Sequence, residues 1–141
     1  MNEHQAMEKW NGFVRRMTDA KLDDLGAKER ELYLVFWYQA EVNNGGHLQY
    51  FLNRGRTDPT SETITALLAL DAIEMANVLR DALALWESSE RLPIDDVEEF
   101  VNEALEDEFN LLDLRFSALE RDLHLSLEKT VIDNLDVLSL E

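Results

Sequence analysis

The sequence predicts an all-α fold, a bundle of about six to seven helices forming one domain over residues 1–141. Three observations lead there. Five glycines and two prolines in 141 residues are too few for the many tight turns of a β-rich fold. Apolar residues recur at helical spacing in one segment after another. An apolar content of 45%, with 9% aromatics, supplies a sizeable core and argues against disorder despite the high charge. No internal repeat or low-complexity linker divides the chain.

The first helix is expected from about Gln5 to Thr18, where Trp10, Phe13, Val14 and Met17 make one apolar face. Lys21 to Ala27 reads as a connection, with Gly26 its most flexible point. A second helix, Lys28 to about Asn44, holds the run Leu32 to Tyr38, which is apolar all round and suits a buried central position. Those residues also have high strand propensity. The helix formers on either side, Ala27 to Glu31 and Gln39 to Glu41, favour helix. Gly45-Gly46 stops it, since a glycine past the last turn takes the left-handed conformation that closes a helix. His47 to Asn53 is then a short helix ended by Arg54-Gly55.

Beyond Asp58-Pro59, Thr60 or Ser61 is a candidate cap for a helix reaching about Leu70, with Ile64, Leu67 and Leu68 facing inward. Asp71 with Glu74 resembles a capping box, so a new helix is expected at Ala72. Ala72, Ala76, Leu79, Leu83 and Trp86 line its buried stripe. A single helix from Ser61 to Trp86 is the alternative. Ser88 to Pro93 reads as a loop. Asp95 or Asp96 then caps a helix whose apolar face is Val97, Phe100, Val101, Ala104 and Leu105. The last helical stretch, Leu111 to about Leu135, carries Leu112, Phe116, Leu119, Leu123, Leu127 and Val131, with Asp122 as a candidate break.

Charge is divided unevenly. Residues 1–60 hold nine acids and eight bases; the remainder holds 21 acids and five bases, so nearly all of the net −17 lies there. Between Asp95 and Asp113 nine carboxylates occur without one Lys or Arg. If wholly helical, that stretch would be roughly 28 Å long, at about 1.5 Å per residue. Its carboxylates would then recur every ~3 Å, against ~3.4 Å for the phosphates of one DNA strand. Such a surface repels nucleic acid and membranes and attracts basic proteins.

Other function classes find little support. The longest apolar run is seven residues, too short for a membrane span. The beginning, Met1 to Gln5, lacks the basic and apolar regions of a secretory signal, and there are no cysteines, so a cytoplasmic location is expected. His4, His47 and His124 lie far apart with no ligand-like spacing, so no metal or other cofactor is expected. No glycine-framed serine or phosphate-cradling loop marks a catalytic site, and the chain reads as a non-enzyme.

The least ordinary segment runs from Glu41 to Phe51. Read structurally, its two glycines turn the chain, Asn43 and Asn44 satisfy loose backbone groups, and Leu48, Tyr50 and Phe51 dock the short helix. The alternative is a small ligand-binding or enzymatic domain centred on Asn43, His47, Gln49 and Tyr50.

The residues Glu41 to Gly55, reading Glu-Val-Asn-Asn-Gly-Gly-His-Leu-Gln-Tyr-Phe-Leu-Asn-Arg-Gly, resemble the hallmark segment of a bacterial family. That family was long carried as a domain of unknown function and is now named for a neisserial DNA-mimic protein. Glu62-Thr63 and Leu112-Asp113-Leu114-Arg115-Phe116 are similar to its later elements, and the resemblance covers roughly residues 30 to 130. Where many members carry Gly-Ala between the fourth and fifth helices, this chain has Asp71-Ala72. The motif residues Asn43, Asn44, Gly45, Gly46, Gln49, Tyr50 and Phe51 lie in the near-neutral part and read mainly as structural. The resemblance implies an all-helical, dimeric protein whose acidic surface imitates duplex phosphates and occupies the DNA-binding face of a basic protein such as a transcription factor. The candidate partner-binding acids are Asp95, Asp96, Glu98, Glu99, Glu103, Glu106, Asp107, Glu108 and Asp113. An immunity-type inhibitor of a basic nuclease toxin would use the same surface logic.

Overall fold

A computed structural model describes residues 2–54, 59–89 and 98–134, excepting the side chains of residues 89 and 98–107. Among these residues the chain is built of five α-helices and one short 3-10 turn, Leu22–Asp24, with no strand. The helices are α1 (Glu3–Asp19), α2 (Ala27–Arg54), α3 (Thr60–Ala69), α4 (Ile73–Ser89) and α5 (Glu98–Asp133). The all-α expectation holds, with fewer and longer helices than the six to seven expected.

The first helix starts where its cap dictates. The Asn2 side chain accepts the Gln5 amide at 2.8 Å, and the Gln5 side chain accepts the Asn2 amide at 3.1 Å, a reciprocal box that satisfies two otherwise orphan donors. Phe13 and Met17 are fully buried. The Trp37 indole donates to the Met17 carbonyl at 3.2 Å, tying the end of α1 to α2.

The run Leu32 to Tyr38 is helical and central, with Leu32, Leu34, Val35 and Tyr38 almost wholly buried. The two helices expected on either side of Gly45-Gly46 continue into one another as α2, bent at the glycines. Gly45 has φ −156° and ψ 19°, and Gly46 has φ 78° and ψ −178°. The bend therefore uses a conformation with positive φ and extended ψ, open essentially to glycine alone, rather than the simple left-handed closure expected.

Several boundaries differ from expectation, each for a local reason. Pro59, not Thr60 or Ser61, occupies the cap position of α3, with no side-chain cap. The Thr63 hydroxyl reaches back to the Pro59 carbonyl at 3.2 Å, and Thr60 is buried inside the first turn. Ile64 and Leu67 face the core as expected, whereas Leu68 is 40% exposed. Asp71 forms no capping box with Glu74. It takes a positive φ of 59°, and its amide and that of Ala72 return to the Leu68 and Leu67 carbonyls, both at 3.0 Å. This is the Schellman closure of a helix end, with Asp71 where glycine is usual. Accordingly α3 and α4 are separate helices, and α4 begins at Ile73. Its core face gathers Met75, Ala76, Val78, Leu79 and Ala82, while Leu83 and Trp86 are half-buried.

The largest correction is at the C-terminal side. The two helices expected there are one, α5, of 36 residues. No Gly or Pro occurs between Glu98 and Asp133, so nothing ends the hydrogen-bond ladder, and Asp122 does not break it. Phe109, Leu112, Phe116, Leu123, Leu127 and Val131 form its core-facing stripe. Ser88 and Ser89 belong to α4 rather than to a loop. The rest of that expected loop and the caps at Asp95 or Asp96 lie outside the described residues. Within the bundle α5 packs against α1, α2 and α4, and α3 bridges α2 and α4.

Candidate functional site

The bend in α2 is fastened to α5 by three side chains. Tyr38 and His47 flank the bend on α2, and both are fully buried; Asp113 comes from α5. Asp113 Oδ1 lies 2.7 Å from His47 Nδ1 and also accepts the His47 backbone N–H at 2.9 Å. His47 Nε2 lies 2.7 Å from the Tyr38 hydroxyl. A carboxylate only accepts, so Nδ1 carries the imidazole proton and Nε2 accepts from Tyr38. The backbone bond also makes Asp113 a cap, supplied from another helix, for the segment that restarts after Gly46. A negative charge there complements the free amides of a helix start.

The glycines make room for this clasp. A Cβ on Gly46 would lie 2.5 Å from Asp113 Oδ2, and one on Gly45 would collide with the Gln49 side chain. Burial is the main reason the Tyr38 hydroxyl ionises well above its ordinary value, with the nearby Tyr50 and Asp113 adding to the shift. Phe116 meets Tyr38 edge-on at 5.5 Å, and Phe109 lies flat beside His47 at 6.3 Å, completing an apolar wall.

A second polar seam joins the same two helices nearer the surface. Gln39 Nε2 lies 2.8 Å from Glu120 Oε1 and 3.0 Å from His124 Nδ1. Asn43 Nδ2 donates to the same Glu120 oxygen at 3.2 Å, and His124 Nε2 lies 3.2 Å from Glu128. Gln39 and Asn43 are four residues apart on α2, as are Glu120 and His124 on α5, so two adjacent turns of each helix meet.

Of the motif residues, Tyr50 and Phe51 are buried and dock the segment, whereas Asn43 pairs with the Glu120 side chain rather than with loose backbone groups, and Asn44 has no side-chain hydrogen bond among the described residues. Phe51 stacks on Trp86 at 5.3 Å, and Tyr50 meets Tyr38 edge-on at 5.2 Å. Asn44 is exposed. Glu62 makes a two-pronged pair with Arg30, which joins α3 to α2 and holds the Glu62 carboxyl below its ordinary range. The four residues of the alternative enzymatic reading do not converge: His47 and Tyr50 are buried, Asn43 is exposed on Glu120, and Gln49 covers Gly45. Among the described residues, no three His or carboxylate side chains cluster in a way that could hold a metal ion.

The expected partner-binding acids are distributed as follows. Asp95 and Asp96 lie outside the described residues. Glu98, Glu99, Glu103, Glu106 and Asp107 occupy the first three turns of α5, with their side chains outside the description. Glu108 is exposed. Asp113 differs from the others in being committed to His47 and the bend. Sequence reasoning passed over Phe109, Glu120 and Met75. Phe109 had a usable signal, because positions 105, 109, 112 and 116 recur every three or four residues and join the two expected apolar faces into one. Glu120 and Met75 had none, since each acts on a residue distant in sequence. Met75 Sδ lies 3.9 Å from the Tyr38 hydroxyl.

Residues 23–134 match a protein-family model described as DMP19-like protein, well over half of the chain. Neither a curated protein nor a solved structure gave a significant match.

Proposed function

The chain belongs to the DMP19-like family, and from that premise we propose that it is a non-enzymatic DNA mimic. It binds a basic DNA-binding protein, such as a transcription factor, in the cytoplasm and keeps it off DNA. The observation that carries this reading is the continuity of α5. Because no break interrupts the helix, positions 99, 103, 106 and 107 recur at i, i+4, i+7 and i+8 and share one face. Carboxylates repeated along a rigid helix match the Lys and Arg side chains that otherwise grip phosphates. Glu98 and Glu108 lie on the same helix, and Asp95 and Asp96 precede it in sequence. Asp113 contributes by fixing the helix on the bundle. The dimer that the family resemblance implies has an apolar surface available to it, since Leu111, Leu114 and Leu125 are exposed along α5. Among the described residues no helix is long and apolar enough to cross a membrane.

Affinity capture from a native lysate at low salt tests the proposal. The expected catch is a basic DNA-binding protein that duplex DNA displaces and that added salt releases, because exposed charge pairs are screened. Reversing Glu99, Glu103 and Glu106 to Lys should abolish capture while the far-ultraviolet circular dichroism is preserved. Undiminished capture by that triple variant would overturn the acidic-face reading.

A further inference from the structure

A second surface, lined by residues between 71 and 78 and between 115 and 126, has the chemistry of a docking groove. Between the start of α4 and the middle of α5 runs a furrow of two adjoining hollows, about 470 Å³ and about 300 Å³, which share Glu74 and Leu119. Ile73, 58% exposed although it is a large aliphatic residue, and half-buried Leu119 give the larger one its accessible apolar surface, with Met75 and Leu123, each 2% exposed, beneath them. Asp71, Glu74 and Asp122 line the same hollow and are exposed. None of these three acids has an ion pair or side-chain hydrogen bond among the described residues. The smaller hollow ends at Arg115, whose charge is already matched by Asp81 at 2.8 Å.

We propose that this furrow docks a basic amphipathic helical segment of a protein partner. The apolar floor accepts one face of the segment, and the three unpaired carboxylates accept its Lys or Arg side chains. Helix-in-groove binding uses this combination, with apolar anchors supplying the burial and rim charges fixing the direction. Here the direction is set by an asymmetry. Asp71 and Asp122 line only the larger hollow, Glu74 is shared by both, and at the other end Arg115 is matched by Asp81, so the basic end of the segment lies over the α3–α4 corner. Arg115 to Ser126 spans roughly 16 Å of α5 at about 1.5 Å per residue, which accommodates about three turns of a docked helix. Asp71 is held at that rim by the backbone closure that ends α3.

The test is a titration of isotope-labelled protein with a 12-residue amidated peptide of Leu and Lys in helical pattern, at near-physiological salt, followed by amide chemical shifts. Saturable shifts confined to residues 71–78 and 115–126 are expected. The double variant Glu74→Lys with Asp122→Lys should weaken binding at least tenfold, and Ile73→Ser should weaken it several-fold. All three positions are exposed, so melting temperature should change little. The Glu99, Glu103 and Glu106 reversal should leave this binding unchanged, which separates it from the acidic-face proposal. Shifts centred on residues 98–108, or equal binding of a peptide with Ala in place of Leu, would overturn the inference. So would an unaffected Glu74→Lys/Asp122→Lys variant, or the same amides moving with protein concentration alone, which would make a second copy the occupant.

Discussion

The two seams between α2 and α5 use the same chemistry in different surroundings. Each pairs a histidine with a carboxylate. In the inner seam His47 is fully buried, and Asp113 satisfies both its ring and its backbone N–H. In the outer seam Gln39 is buried, but the His124 side chain is 36% exposed and Asn43 is exposed, so water competes for part of the network. Distances hardly separate them. What differs is the cost of losing a partner: an orphaned donor in the inner seam finds no replacement, whereas in the outer seam exposed Asn43 is rehydrated and buried Gln39 has both Glu120 and His124 as partners. The inner seam therefore specifies the bend, and the outer seam only supports it.

The sharpest way to break the comparison is Asp113→Ala. It strands the His47 ring proton and uncaps the restarted helix, and should cost about 3 kcal/mol in denaturant unfolding. Tyr38→Phe comes next, with an expected loss of about 1 kcal/mol at neutral pH for one buried hydrogen bond. It also changes the pH profile. Tyr38 ionises near pH 10 once unfolded but well above that when folded, so above about pH 10 the unfolded state binds fewer protons and stability falls as pH rises. The phenylalanine variant should have a flatter alkaline limb, visible in melting temperatures between pH 9 and 11. Glu120→Ala should have the smallest effect, about 0.5 kcal/mol, because Gln39 keeps His124 as a partner and exposed Asn43 is rehydrated. A Glu120→Ala loss as large as that of Asp113→Ala would abolish the distinction between the seams.

Much of this architecture was legible in the chain. Trp10 to Met17 and Leu32 to Tyr38 announced buried helical faces through their spacing, and Gly45-Gly46 announced a stop where the structure has a bend within α2. What could not be read was whatever depended on a distant partner. Asp113 looked like one more acid in an acidic stretch because His47 lies 66 positions earlier. The corner at Asp71 was misread because a capping pair and a left-handed aspartate look alike in sequence, and only the backbone distinguishes them. The unbroken α5 was obscured by a change in local pattern, in which nine carboxylates interrupt the apolar rhythm without containing a single helix breaker. The candidate acidic stretch was legible as composition, and what the sequence did not show is that its helix runs on unbroken to Asp133.

Gly46 has a consequence for the order in which the chain acquires its shape. A helix restarting from positive φ has free amides and no local side chain to satisfy them, so residues 47–54 gain little from forming alone. Their cap arrives only when α5 docks and brings Asp113, after a loop of more than sixty residues has closed. The bend is thus a late event by construction. Completing residues 47–54 and seating α5 become one cooperative step.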